Sequence, residues 1–490
     1  MARTGGIHTL VLLGLLLAVA YIYFPSFFVT YLWDDCDILH SLVQSSNGTE
    51  LLRWFLRFHN EHFIPCVKLV YFLCYTNFWL NPIPFHLVII GALFSIMVIL
   101  NNLVFQLLDD RNAALIASGI FGLSTAYFPC AQSLSQSHIL FCLLFMLIML
   151  YAPYRYAMTR RRGWQWIAFI SGLAAPATFA LGLASGIWLL VFYFLCIPVR
   201  ERDTPQKTAG ILVPPLSGWL LTTAWYISSI NQAIYAGHYS QVGRTSAFDA
   251  CDLGGGVMLT LKTVAFHLIP NLFAIKTVSL LLFGLAGLSL VMHWRRIMKR
   301  PIFFFALWTL ANYCIIYTFR APWADIAVSR YRYSVFSVLG IAACYAFCFH
   351  PAVAWLKRLP VIGARSALAG AVLIISLAVW SSALFIRTAT APTMLWYEFC
   401  KEFREAITDY VRDKGPGSAV RIKNRPIMPR AESDIAIYPE PKPLEFYASF
   451  ILPRDLRAKI TWGDETDPAF LGFIATRRDR YPVVVLKLLP

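Results

Sequence analysis

The chain has 490 residues, of which 58% are hydrophobic and 14% charged, against roughly 25% charged in ordinary soluble domains. With a mean hydropathy of +0.60, this excludes an ordinary soluble enzyme and equally a disordered or collagen-like chain. The net charge of +16 does not point to nucleic acid, because the Lys and Arg residues sit in short loops between apolar runs, the usual pattern of a membrane protein.

A membrane helix needs about 20 apolar residues. Such runs predict about eleven spans, near residues 7–28, 84–108, 112–129, 134–153, 164–180, 182–198, 208–229, 272–293, 301–319, 331–349 and 367–387. The first run has a rival reading. Arg3, the apolar stretch and Ala18-Val19-Ala20 resemble a signal peptide. The apolar run continues to Val29 with no polar break, which favours a retained span.

Placing the N-terminus in the cytoplasm puts Arg111, Arg155, Arg160 to Arg162, Arg200, Arg202, Lys207, Arg295, Arg296, Lys299, Arg300, Lys357, Arg358 and Arg365 on the same side. Lys and Arg bias sets orientation, so alternate loops agree along the whole body. Two outer segments are long, 29–83 and 230–271. In the first, Leu51–Phe58 reads as an amphipathic interfacial helix, with Arg53 and Arg57 on one side and Leu52, Phe55 and Leu56 on another. Ile64–Trp79 is apolar but short and carries Lys68. It reads as a helix lying at the membrane surface, since counting it as a span would invert the charge rule for every later loop.

An odd number of spans places the C-terminal tail outside. Residues 391–490 hold 16 of the 42 basic and 14 of the 26 acidic residues. The chain thus divides into a membrane body, 1–390, and a water-soluble extracytoplasmic domain, 391–490. The tail opens with a helix-like stretch, Trp396–Arg412. Strand-like runs follow at Ala419–Ile422, Ile435–Tyr438, Phe446–Ile451, Phe470–Ala475 and Val483–Leu488. A small α/β or α+β fold is the expectation. The cysteines in apolar runs act as small hydrophobes. No Cys/His cluster has zinc spacing, and a disulfide among Cys36, Cys66, Cys130 and Cys251 has no positive support.

Acids are scarce in the body, and five of them gather in one outer segment: Asp34, Asp35, Asp37, Glu50 and Glu61. A carboxylate at a water–lipid boundary can act as general base toward a hydroxyl or amine. The plainer reading is that Asp34 or Asp35 caps a helix over Ile38–Gln44. Glu61, His62 and Lys68 place an acid, an imidazole and an ammonium within nine residues, a set suited to a phosphate. Here the plain alternative is that Lys68 snorkels and His62 is a surface histidine. Arg330-Tyr331-Arg332-Tyr333, preceded by Arg320, Trp323 and Asp325, puts two arginines at the outer start of a span. They either anchor the helix or bind an anionic headgroup bidentately. His238, Arg244, Lys262 and His267 of the second outer loop could add to this. Together the outer acids, cations and interfacial helices suit a reaction on a lipid phosphate, driven by an activated donor and needing no cofactor motif.

At this point the sequence resembles the GT-C superfamily, integral membrane glycosyltransferases that use polyprenyl-phosphate-linked sugars. The likeness is to the branch of protein O-mannosyltransferases and the aminoarabinose transferase of lipid A. It rests on Asp34-Asp35 after the first span, Pro65-Cys66-Val67-Lys68 in the first outer segment, Asn81-Pro82 with Phe85-His86-Leu87 entering the next span, and Arg330-Tyr331. The resemblance implies an inverting transferase with a periplasmic or lumenal site. Asp34 would be the base and Asp35 its partner, although Asp35-Cys36-Asp37 also fits the Asp-x-Asp of other branches. Lys68, His62, Arg330 and Arg332 would bind the donor phosphate, and Asp37, Glu61, Tyr331 and Arg320 would support the site or the acceptor. The partners are a polyprenyl-phosphate hexose or pentose, the bilayer, and a glycan, lipid or protein acceptor. No cofactor is required, and nothing forces a divalent metal, whose use differs between branches. A bacterial inner membrane is the favoured location, which the sequon Asn47-Gly48-Thr49 does not decide. A transporter or flippase is the rival class, but it would place ionisable groups near mid-span. A glycan polymerase or ligase would carry its site in a late outer loop.

Overall fold

A computed structural model describes residues 2–29, 34–45, 47–59, 62–79, 81–125, 127–132, 134–235, 254, 257, 276–298, 300–320, 335–356, 375–390, 419–422, 459–462 and 486–488. The described body is helical. Its helices are α1 (Ala2–Tyr23), α2 (Asp34–Gln44), α3 (Gly48–Leu56), α4 (Pro65–Phe78), α5 (Ile83–Leu108), α6 (Arg111–Leu123), α7 (Phe128–Gln132) and α8 (His138–Thr159). They continue with α9 (Gly163–Ala174), α10 (Ser185–Cys196), α11 (Pro205–Tyr235), α12 (Lys276–Ile297), α13 (Arg300–Arg320), α14 (Val335–Leu356) and α15 (Ile375–Thr390).

Every stretch expected to span holds one of these helices. By length and composition Gly6–Phe28, Ile83–Leu108 and Ser135–Thr159 can each cross a membrane. Other apolar helices are shorter, and α9 and α10 have 12 residues each, or about 18 Å of helix. Large apolar side chains stand exposed on α1 (Leu10, Leu17), α9 (Trp166, Ile170), α10 (Ile187, Phe194), α11 (Leu220, Leu221) and α12 (Val291). A water-soluble surface does not carry apolar area on this scale. Lipid is the solvent for these faces, as expected of a polytopic membrane protein.

Inward faces are packed closely. Trp188 of α10 lies 5.0 Å from the Trp308 ring of α13, and Phe192 lies 5.1 Å from Phe304. Moving along α10 therefore moves backwards along α13, so these helices are antiparallel. The Trp308 indole donates to the Phe336 carbonyl of α14 at 2.7 Å, and Ser337 donates to the Thr309 carbonyl at 3.0 Å. At the α5–α6 turn Asp110 caps α6, accepting from the Asn112 N–H at 2.8 Å. Its other oxygen lies 2.7 Å from Nδ1 of His350, which ties the far part of α14 to the α5–α6 turn.

Of the tail, three strands are described: β1 (Ala419–Ile422), β2 (Lys459–Trp462) and β3 (Leu486–Leu488). They form a sheet of order β2-β1-β3, parallel between β1 and β2 and antiparallel between β1 and β3. The first and last coincide with expected strands. β2 was not expected, and the remaining expected strands and the Trp396–Arg412 helix lie outside the described residues.

Candidate active site

The segment 29–83, expected on the outer side, holds three short helices among its described residues. The helix expected over Ile38–Gln44 begins four residues earlier, at Asp34. Asp34, Asp35 and Asp37 therefore lie inside the first turn, where the positive end of the helix dipole favours carboxylates. This corrects the capping alternative, in which an aspartate stands one residue ahead of the helix. Ile38, Leu39 and Leu42 bury the inner face of α2.

Helix α3 starts at Asn47, whose side chain accepts from the Glu50 N–H at 3.0 Å, a common way of satisfying a free N-terminal amide. Its buried anchor is Trp54, whose indole donates to Ser41 Oγ at 3.0 Å. Of the apolar side that the sequence marks, Leu52 and Leu56 are exposed, as a helix face turned to the membrane surface would be. Trp54 wins the inward position because its ring fills volume while its N–H reaches a partner on α2.

Helix α4 has 14 residues, about 21 Å of helix, well short of the roughly 30 Å hydrocarbon core. Pro65 opens it where a missing N–H costs nothing. Its inner face carries Val67, Lys68, Tyr71, Cys74 and Tyr75. Lys68 is 3% exposed. Its ammonium donates to the Trp54 carbonyl at 2.6 Å and to the Arg57 carbonyl, both at the C-terminal end of α3. It also sits 5.4 Å from the centre of the Trp54 ring. Burial, with the Arg57 charge nearby, lowers the Lys68 pKa to about 7. Burial pushes the Cys66 thiol up to about 11. Neither Cys66 nor Cys130 forms a disulfide among the described residues.

Three elements meet at Asp35, which has no exposed surface. The Tyr71 hydroxyl of α4 donates to Asp35 Oδ1. The Ser135 amide, in the 3-10 turn Ser135–Ser137 that leads into α8, donates to the same oxygen. The Ser135 carbonyl faces Nδ1 of His138. Since a carbonyl only accepts, this contact places a proton on Nδ1. The His138 ring lies 5.4 Å from that of His62 and 5.0 Å from Phe179, and His62 lies 4.7 Å from Phe179. His62 is held by paired 2.9 Å backbone hydrogen bonds with His59.

The loops on either side are fastened by His86 of α5. Its Nε2 lies 2.9 Å from the Val29 carbonyl, just ahead of the acidic cluster, and its Nδ1 lies 3.2 Å from the Ala131 carbonyl, just ahead of Ser135. A neutral ring can donate to one of these carbonyls and an imidazolium to both.

Among the expected site residues, Asp35, Lys68 and His62 thus belong to one assembly of α2, α3, α4 and the entry to α8. Asp34 and Asp37 lie on α2, but their side chains, and that of Arg320 at the end of α13, are outside the described residues. Glu61, Arg330, Tyr331 and Arg332 are also outside them, as are His238, Arg244, Lys262 and His267. Tyr71, Ser135, His138 and Phe179 were not anticipated. Tyr71 alone had a local signal, since it follows Lys68 by three residues and so shares its helix face. Among the described residues, no group of three or more His, Cys, Asp or Glu side chains could hold a metal ion.

No protein-family model matches the chain, and no curated protein matches it. Among solved structures, the chain is similar to ArnT from Cupriavidus metallidurans bound to undecaprenyl phosphate, at 14% identity and a TM-score of 0.42, covering 89% of this chain and 75% of that one. It is likewise similar to the apo form of the same protein, at 14% identity and a TM-score of 0.42, covering 92% and 77%.

Proposed function

We propose that the chain is an inverting glycosyltransferase that moves a sugar from a polyprenyl-phosphate donor to a glycan, lipid or protein acceptor on the outer membrane face. The observation that carries the reading is the fully buried Asp35 carboxylate in the first turn after the first membrane helix, clamped between α4 and the entry to α8. A buried carboxylate is costly unless it is hydrogen-bonded, and an acid cluster fixed at this boundary suits proton abstraction.

In this reading Asp34, the residue next to Asp35 in the chain, takes the proton of the acceptor hydroxyl or amine. The acceptor atom attacks the anomeric carbon from the face opposite the phosphate. The bond from that carbon to the phosphate oxygen breaks, and the electron pair leaves with the polyprenyl phosphate. The phosphate gains negative charge as it leaves, and cations that bind it more tightly at that moment lower the barrier. Lys68, His62, Arg330 and Arg332 take this role. Two hydrogens of the Lys68 ammonium are committed to α3, and its third hydrogen and its charge remain for the phosphate. Asp37, Glu61, Tyr331 and Arg320 support the acceptor side. Asp34 and Asp35 are each to be replaced by Asn, and sugar release from labelled polyprenyl-phosphate donors measured in membranes. General-base removal costs roughly 100-fold or more in kcat, so Asp34→Asn loses at least that much. Unchanged turnover in both variants removes the base assignment, and directional movement of intact donor without sugar release would mark a flippase.

A further inference from the structure

We propose that Tyr71 is a positioning residue of this site, acting through Asp35; the inference rests on the transferase reading above. Tyr71 has no exposed surface. Its ring packs edge-on against Phe85 of α5, with centroids 4.4 Å apart, so a membrane-spanning helix fixes the phenol. The hydroxyl donates to Asp35 Oδ1, and the Ser135 N–H comes to the same oxygen from a second direction. Two donors converging on one oxygen from separate elements restrict both the rotation and the translation of that carboxylate. Asp34 shares a peptide bond with Asp35 in the first turn of α2. Whatever fixes Asp35 therefore also fixes the backbone that carries Asp34.

Lys68 reinforces the arrangement from the same face of α4, one turn earlier, where it grips the end of α3. Helix α4 thus presents two side chains to two different short helices, Lys68 to α3 and Tyr71 to α2. A loss of the Tyr71 hydroxyl alters the aim of the acidic pair and leaves the groups that contact the donor in place. The signature is a change in kcat with little change in KM.

The test uses the full chain in membranes. Wild type, Tyr71→Phe, Asp35→Asn and the double variant are assayed with labelled polyprenyl-phosphate hexoses and pentoses, with detergent-extracted thermal stability measured alongside. Tyr71→Phe keeps the ring and is expected to lower kcat about 10- to 100-fold while KM stays within about threefold. The loss should vanish in the Asp35→Asn background, because residues acting through one another are not additive. A kcat within twofold of wild type overturns the proposal, and so does a full additive loss in the double variant. If Tyr71→Phe does not fold, 3-fluorotyrosine at position 71 supplies a stronger donor to Asp35 in nearly the same volume, and must move kcat or the acid limb of the kcat–pH profile away from wild type. A limb and kcat identical to wild type overturn the proposal by that route. Wild type that releases sugar from no donor removes the transferase reading and this inference with it. An active wild type with an unaffected Tyr71→Phe removes only the inference.

Discussion

Lys68 offers the sharpest pH test of the site. Its pKa is lowered from 10.5 to about 7, chiefly by burial and then by the Arg57 charge. A neutral lysine amine has two hydrogens, and Lys68 has two carbonyl partners, Trp54 and Arg57. Deprotonation therefore breaks neither bond to α3 and removes only the third hydrogen and the charge. If that charge holds the donor phosphate, binding fails as pH rises through the pKa of the free protein. A group that must be protonated loses about tenfold in effective affinity per pH unit above its pKa. Donor KM should thus rise about 10-fold between pH 6 and 8 and about 90-fold by pH 9. Lys68→Arg keeps its charge over this range, so its KM should not change with pH. Lys68→Met should show a high KM that is also flat. A wild-type KM independent of pH from 6 to 9, or the wild-type slope surviving in Lys68→Met, refutes the phosphate role. The stability effect has its own sign. Between about 7 and 10.5 the unfolded chain holds the proton and the folded one does not, so stability rises with pH across that window.

Two further outcomes follow from the packing. Helices α9 and α11 approach through glycines: a Cβ on Gly172 would lie 2.2 Å from the Pro215 carbonyl oxygen, and one on Gly218 would lie 2.3 Å from that of Phe169. Gly172→Ala and Gly218→Ala should each cost about 2 kcal/mol or more, since backbone cannot yield as a flexible side chain can. Gly14→Ala, which meets nothing within 4 Å, should be neutral. Thermal unfolding in detergent separates them, and equal melting temperatures would discredit the close approach of α9 and α11. His86→Ala removes the ring between the Val29 and Ala131 carbonyls and so the donor to at least one of them, at about 1–3 kcal/mol for a buried acceptor left bare. Its melting temperature should fall accordingly, and an unchanged value would show that these two loops are held by something else.

The sequence by itself determined the membrane character, the positions of the long helices and the choice of the first outer segment as the place to look. Each is a local property: twenty apolar residues exclude water along their own length, and short loops rich in Lys and Arg report their side without reference to any partner. It also marked Asp34-Asp35 and Lys68, because charges beside a membrane are rare. Only the tertiary structure decided what those charges meet. Asp35 is held by the Ser135 amide, 100 residues away, and a backbone N–H has no signature in any pattern of side chains. Lys68 reads as a free cation in the sequence, yet two of its hydrogens cap α3, because helix α4 lays its inner face across the end of that helix. On α3 the inward position is taken by Trp54, while Leu52 and Leu56 stay on the exposed side. Hydrophobic periodicity identifies candidates for burial, but the neighbour that can both fill the space and satisfy an N–H is chosen by packing between segments.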